Sequence, residues 1–224
     1  MSVIGRPPVY SDVMVELGTD SDVSLDAWTA MAFVAAGVVF AVFAGLWGAF
    51  AVTEFDSRTL QDAVGPIGWT VAFVGLLGVR RTIDDGWLAR AGTLFGSLGA
   101  VGGAVTALGN VATLAGVVDG LPATVEALQL LLLAGIVLGF LAVAAAVARD
   151  SRWSGRVALL LAVPPVVFLA NVVRVAALGA TTPTWAPFVL GTAQAASLLA
   201  IGYAVRSRRT SASPVEQAAG RGTR

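Results

Sequence analysis

Residues Val125–Arg156 read VEALQLLLLAGIVLGFLAVAAAVARDSRWSGR, and this stretch decides the fold. From Val125 to Val147 the only charge is Glu126, near one end, and the apolar run then stops at Arg149, Arg152 and Arg156. About 20 apolar residues at about 1.5 Å rise each are enough for a helix to cross the roughly 30 Å hydrocarbon core of a bilayer. The segment is therefore a membrane-spanning helix with a basic flank on one side only.

Five comparable runs surround it: Trp28–Val52, Ala63–Val79 and Ala91–Leu114 before, Val157–Leu178 and Ala186–Val205 after. The expected fold is an all-α polytopic membrane bundle of six spans over residues 28–205, between an acidic tail (1–27) and a basic flexible tail (206–224). The second run is the shortest, at about 17 residues, and is expected to draw on loop residues or a locally thinned bilayer. Of the 224 residues 57% are hydrophobic and 12% charged, about half the charged share of a soluble protein.

Arginine placement orients the bundle, because short loops rich in Lys/Arg remain cytoplasmic while acidic residues count for little. Arg80, Arg81 and Arg90 follow the second span, Arg149, Arg152 and Arg156 the fourth, and Arg206, Arg208, Arg209, Arg221 and Arg224 the sixth. With Arg6 they share one side; Arg58 alone lies opposite, and Arg174 lies within a span. Both termini are expected in the cytoplasm (N-in/C-in) of a cell-membrane protein. Tryptophan favours the two interfaces; Trp28, Trp87 and Trp153 fall by the inner ends, Trp47, Trp69 and Trp185 by the outer ones. Residues 1–26 lack the apolar core of a signal peptide and are expected to form a cytoplasmic tail rather than a cleaved leader.

Several chemistries drop out. The chain has no Cys and no His, which excludes thiol nucleophiles, disulfides, Cys/His zinc sites, haem held by either residue and His general bases. Net charge is zero, so nucleic acid is not an expected partner; the bilayer is. No cofactor or metal is expected. Asp84 and Asp85, in a basic-side loop, read as a solvated turn, with no further carboxylate placed to join them.

In the third span Gly92, Gly96, Gly99 and Gly103 share one face. Small residues so spaced let another helix approach closely, either within the chain or from a second copy or another membrane protein. Pro164 and Pro165 remove two amide donors from the fifth span, and a kink is expected there.

One polar constellation stands out. Asn110, Glu126, Gln129, Asn171, Arg174 and Gln194 all fall in the outward half of the spans. An arginine facing acyl chains costs several kcal/mol, about 2.5–3.5 on insertion scales, so Arg174 is expected to turn inward or to the outer mouth and meet Glu126, Gln129, Asn110 or Gln194. The cluster reads either as a pocket for a small ligand or peptide, with Arg174 available to an anion, or as structural polar contacts between helices.

Residues 164–179, PPVVFLANVVRVAALG, resemble the Asn-x-x-Arg helix of the exosortase and archaeosortase family of membrane-embedded transpeptidases. Glu126 and Ala127 resemble the Glu-Ala that precedes that family's Cys nucleophile, on a helix separated from the Arg helix by a basic loop. The likeness covers about residues 125–205. Leu128 stands where the Cys would be, and no His is present for the later acid/base role. Glu126, Asn171 and Arg174 are the matching positions. The resemblance implies an exosortase-like chain that retains a peptide-binding cavity without transpeptidation.

The function expected first is a non-enzymatic accessory or structural membrane subunit. The alternative is a small-molecule or peptide binding or transport protein with an outward-facing pocket; residues 28–114 and 125–205 show no repeat of the kind that would favour transport. Reporter fusions at the C-terminal tail and in the 115–124 loop should report opposite sides of the membrane, the tail inside.

Overall fold

The computed structural model describes the backbone of residues 13–53, 58–179 and 185–219, and side chains over 27–53, 59–125, 127–179 and 185–208. Six helices follow in order: α1 Val13–Thr53, α2 Arg58–Arg81, α3 Trp87–Leu114, α4 Ala123–Arg149, α5 Gly155–Leu178 and α6 Ala186–Ala219. Each holds a segment of 23–28 residues long and apolar enough to cross a membrane. α4 is interrupted by one π-helical turn, Gly135–Gly139. α1 begins before the first span and α6 continues beyond residue 205.

Each helix packs on its neighbours in sequence, and α6 returns against α1, so the six close into a ring. An even number of helices lets every neighbouring pair, including the closing one, run antiparallel with short connections. Inside the ring Phe33, Phe73, Leu76, Ile136 and Phe140 are fully shielded. Outside it Val38, Val42, Leu94, Leu108, Leu130 and Val173 are exposed, a surface that suits hydrocarbon rather than water.

The second span is longer than its apolar run. It covers Thr59–Arg81, 23 residues, because Gln61 is buried within the ring instead of ending the helix. Two tryptophans also depart from the interfacial reading. Trp69 is buried and packs edge-on against Phe40, Phe140 and Phe168 at centroid separations of 5.1, 5.9 and 5.9 Å. Trp153 is buried in the loop after α4. Both find aromatic or cationic partners inside the protein, which compete with the interface for an amphipathic ring. Trp28, Trp87 and Trp185 remain exposed at the ends of the spans.

The glycine face of α3 is used within the chain. Gly92, Gly96, Gly99 and Gly103 are buried, together with Gly102. A Cβ on Gly99 would stand 2.8 Å from Gly135 Cα, and one on Gly102 2.7 Å from the Leu132 nitrogen and 2.8 Å from the Leu128 oxygen. From the other side, a Cβ on Gly139 would lie 3.1 Å from the Gly96 nitrogen. α3 and α4 therefore meet backbone to backbone, with the π turn bounded by the two α4 glycines. Gly96 and Gly103 also face α2, next to Leu77 and Thr70. α5 stays helical through Pro164 and Pro165, both buried.

Gly102→Ala and Gly99→Leu should each destabilise the protein by about 1–3 kcal/mol or more, since a Cβ at either position meets α4 backbone and at Gly99 the Phe73 ring as well. Gly45, with nothing within 4 Å of an added Cβ, should accept alanine with no loss. Thermal unfolding in mild detergent checks the contrast.

Candidate functional site

A cavity of about 420 Å³ occupies the ring at the end opposite the arginine-rich loops. All six helices line it: α1 with Phe40 and Trp47, α2 with Gln61 and Trp69, α3 with Thr106 and Asn110, α4 with Gln129 and Leu133, α5 with Phe168 and Asn171, and α6 with Leu190 and Gln194. From Gln61 to Trp69 on α2 is eight residues, which makes the cavity about 12 Å deep at the helical rise. Its floor is the aromatic cluster around Trp69. Beyond that floor, Leu76, Val79, Val143, Val147, Leu161, Leu198, Ile201 and Val205 fill the ring completely.

Four of the six residues singled out from sequence, Asn110, Gln129, Asn171 and Gln194, come together on this cavity. The backbone of Glu126 lies in the first turn of α4; its side chain falls outside the described residues. Arg174 is buried but is not among the lining residues. Its Nε donates to Asn171 Oδ1 at 3.0 Å, one turn earlier on its own helix, and its NH1 has no hydrogen-bond partner. The expected bond to Gln129, Asn110 or Gln194 is not formed among the described residues. A side chain three positions away on the same helix is held in reach by the backbone itself, whereas the amides of other helices must be brought across the ring.

Asn110 has a structural task that comes from a proline. Pro66 lies inside α2, and its missing amide leaves the carbonyl four residues earlier, that of Asp62, without a helical donor. Asn110 Nδ2 from α3 donates to that oxygen at 2.6 Å. In hydrocarbon a freed carbonyl must find a partner within the protein, and here the partner is a side chain of the neighbouring helix.

Three other lining residues have polar atoms with no protein partner. These are both amide atoms of Gln194, Oγ1 of Thr106 and Nε1 of Trp47. Gln194 is 3% exposed and Thr106 2%. They come from α6, α3 and α1 and offer donors and acceptors but no charge. Sequence reasoning passed over Gln61, Asp62 and Thr106. Gln61 and Asp62 fell just before the apolar run of the second span, and a lone threonine in a helix ordinarily bonds its own backbone, as Thr113 does to Gly109 at 3.1 Å.

The opposite end is held by ion pairs. Arg152 reaches Asp84 at 2.6 Å and Asp150 at 2.7 Å, joining the loops after α2 and α4. Arg80 pairs with Asp85 at 2.9 Å and shares its Nε between Ala89 O and Thr93 Oγ1 at 2.7 and 3.0 Å. Arg208 of α6 lies over the Trp153 ring, 4.1 Å from its centroid. Asp84 thus does have a carboxylate neighbour, Asp150, whose Oδ2 accepts from the Asp84 amide at 3.4 Å. An arginine bridges the two acids, and among the described residues no group of three or more His, Cys, Asp or Glu could hold a metal.

Fold and site together define an all-α, six-helix polytopic membrane protein with an internal cavity. It lacks the cysteine and, among the described residues, the metal-ligand clusters typical of catalytic centres. No protein-family profile, curated protein or solved structure matches the chain.

The Asp150 carboxyl is held well below the usual carboxylate range, first by the Arg152 side-chain hydrogen bond, against the effect of burial, and then by the backbone amides of Arg152 and Asp84. With a folded pKa well below the unfolded one, this contribution to stability is complete above about pH 5 and is lost progressively as pH falls from about 4 towards the folded value. The melting temperature in detergent should drop by several degrees on acidification through that window. Asp150→Asn should start lower at neutral pH and vary less.

Proposed function

We propose that this chain is a non-enzymatic membrane protein whose cavity binds an uncharged small ligand carrying hydrogen-bond donors and acceptors on an apolar frame. The observation that carries this reading is Gln194: the residue lines a cavity of about 420 Å³, is 3% exposed, and its carboxamide bonds no protein group. A buried polar group left unpaired costs about 1–3 kcal/mol. Trp47 and Thr106 add the same feature from two other helices, and a ligand able to meet all three recovers part of that cost at each. Mostly apolar walls with a few convergent polar groups are the usual makeup of a small-molecule site.

An anionic ligand is less well served. Arg174 lies off the cavity wall, and the charged residue among those that line it, Asp62, is acidic. The arginine asymmetry of the loops supports a cavity on the outer side of the membrane, with both termini inside. The exosortase-like helix fits the same picture as a binding helix without transpeptidation, because Asn171 lines the cavity while Arg174 orients it from behind. An accessory role resting on the α3 glycine stripe loses its surface, since α4 and α2 already fill that face.

Purification in nanodiscs followed by solvent extraction and mass spectrometry should recover a small uncharged compound in stoichiometric amount. Gln194→Leu should reduce its retention about tenfold, as expected for the loss of hydrogen bonds worth about 1.4 kcal/mol, with melting temperature unchanged or raised. Equal retention by wild type and variant would remove the reading.

A further inference from the structure

The ring is not equally tight all the way round. At the π turn and along Phe140–Arg149, α4 packs against α5. Its other half, Ala123–Ala134, lies along α3 and makes no extended contact with α5. The glycine seam explains the asymmetry: Gly102 draws this part of α4 onto α3 at backbone distance, against Leu128 and Leu132, and so away from its other neighbour. A π turn inserts one residue into a helix and lets the two halves follow different neighbours.

This looser flank lies at the depth of the cavity. Gln129 and Leu133 of α4 and Val167 and Asn171 of α5 line it from the two sides. Leu133 does so while 38% exposed, so it faces both the cavity and the outside of the ring. Immediately around it the outer surface is apolar, with Leu130 66%, Val166 60% and Val173 67% exposed. A passage bordered by such residues leads into acyl chains rather than water.

We infer that the cavity is entered from within the bilayer, through a cleft between the Ala123–Ala134 half of α4 and α5, and that its ligand is a membrane-dissolved amphiphile with an uncharged, hydrogen-bonding head group. This rests on the cavity-binding reading and adds the route and the ligand class. The head group, a hydroxyl or an amide, meets Gln194, Thr106 and Trp47, which supply donors and acceptors in a water-poor site. A phosphate head would lose its hydration without gaining a counter-charge, because Arg174 is not on the wall and the charged residue that is, Asp62, is acidic. About 420 Å³ is at the small end for a drug-sized ligand, so it holds the head and the start of a chain while the remaining tail passes the Leu133 edge into the membrane.

The absence of cysteine and the exposed position of Leu133 make the test direct. The full chain is reconstituted into phosphatidylcholine vesicles containing a photoactivatable diacylglycerol, irradiated and digested. Labelling is expected on peptides carrying Val167–Asn171 or Leu190–Gln194. It should fall several-fold with Gln194→Leu and with Leu133→Trp, which fills the cleft, persist with Leu133→Ala, and resist competition by glycerol added in water. Melting temperature identifies any variant that has failed to fold, and the competition by aqueous glycerol then decides the route alone. If Gln194→Leu abolishes labelling while Leu133→Trp leaves it intact and aqueous glycerol competes, the bilayer route is wrong and the binding cavity stands. If a photoactivatable phosphatidylcholine labels the same peptides equally well, the uncharged head group is wrong. If neither probe reaches the cavity and no compound co-purifies with the protein, both the inference and the reading beneath it fall.

Discussion

The close approach of α3 to α4 governs much of the rest. Lipid tails are as apolar as the helix surfaces, so burying those surfaces against each other gains little from the hydrophobic effect, and association rests on dispersion at short range. Dispersion weakens steeply when a gap opens, so the helices that hold best are those whose backbones can touch. Gly99 and Gly102 on α3 and Gly135 and Gly139 on α4 provide that contact. With α4 seated there, Phe140 points inward to meet Trp69 and Phe73 at 5.9 and 5.8 Å. The same seating leaves the other flank of α4 loosely matched to α5 at the cavity end.

Polar groups inside the ring divide by whether the fold already uses them. Pro66 frees the Asp62 carbonyl and Asn110 takes it up; Thr70 donates to the Pro66 carbonyl at 2.8 Å; Asn171 accepts from Arg174. The first of these contacts answers the requirement that backbone groups in hydrocarbon be satisfied internally, and the last meets the Arg174 Nε while its NH1 stays without a partner. Gln194, Thr106 and Trp47 answer no such need, and all three border one space. A single idle polar atom would be unremarkable at about 1–3 kcal/mol; three side chains converging from three helices are the chemical content of the site.

The two ends of the bundle are built for different purposes. At the arginine-rich end, large apolar side chains fill the ring and the loops are tied by Arg80, Arg152 and the Arg208–Trp153 contact. Asp150 is the buried member of that arrangement, its side chain only 3% exposed, and its partners keep it ionised. The other end carries amides among aromatic and aliphatic side chains on the inward faces and keeps a cavity. Helices tied at one end can differ in spacing at the other without loss of the whole fold, and α4 does so at its π turn.

Sequence alone determined the class of protein, because span length and the scarcity of charge are properties of composition and bilayer thickness that no tertiary contact alters. It located six spans to within a few residues, the glycine face of α3, and four amides that share a depth. Depth follows from position along a helix; direction around the helix and the identity of a partner do not. Hence Arg174 turned to Asn171 on its own helix, Trp69 turned out to be core rather than interface, and Asn110 was committed to a carbonyl released by a proline 44 positions away. The Pro66–Asp62 relation and the Gly135/Gly139 spacing were legible in principle, since a proline always frees the fourth carbonyl before it and small residues four apart share a face. Which helix would supply the donor, which glycines would meet, and which polar atoms would be left facing a cavity were decided only when the ring closed, because each depends on the rotation of one helix against another.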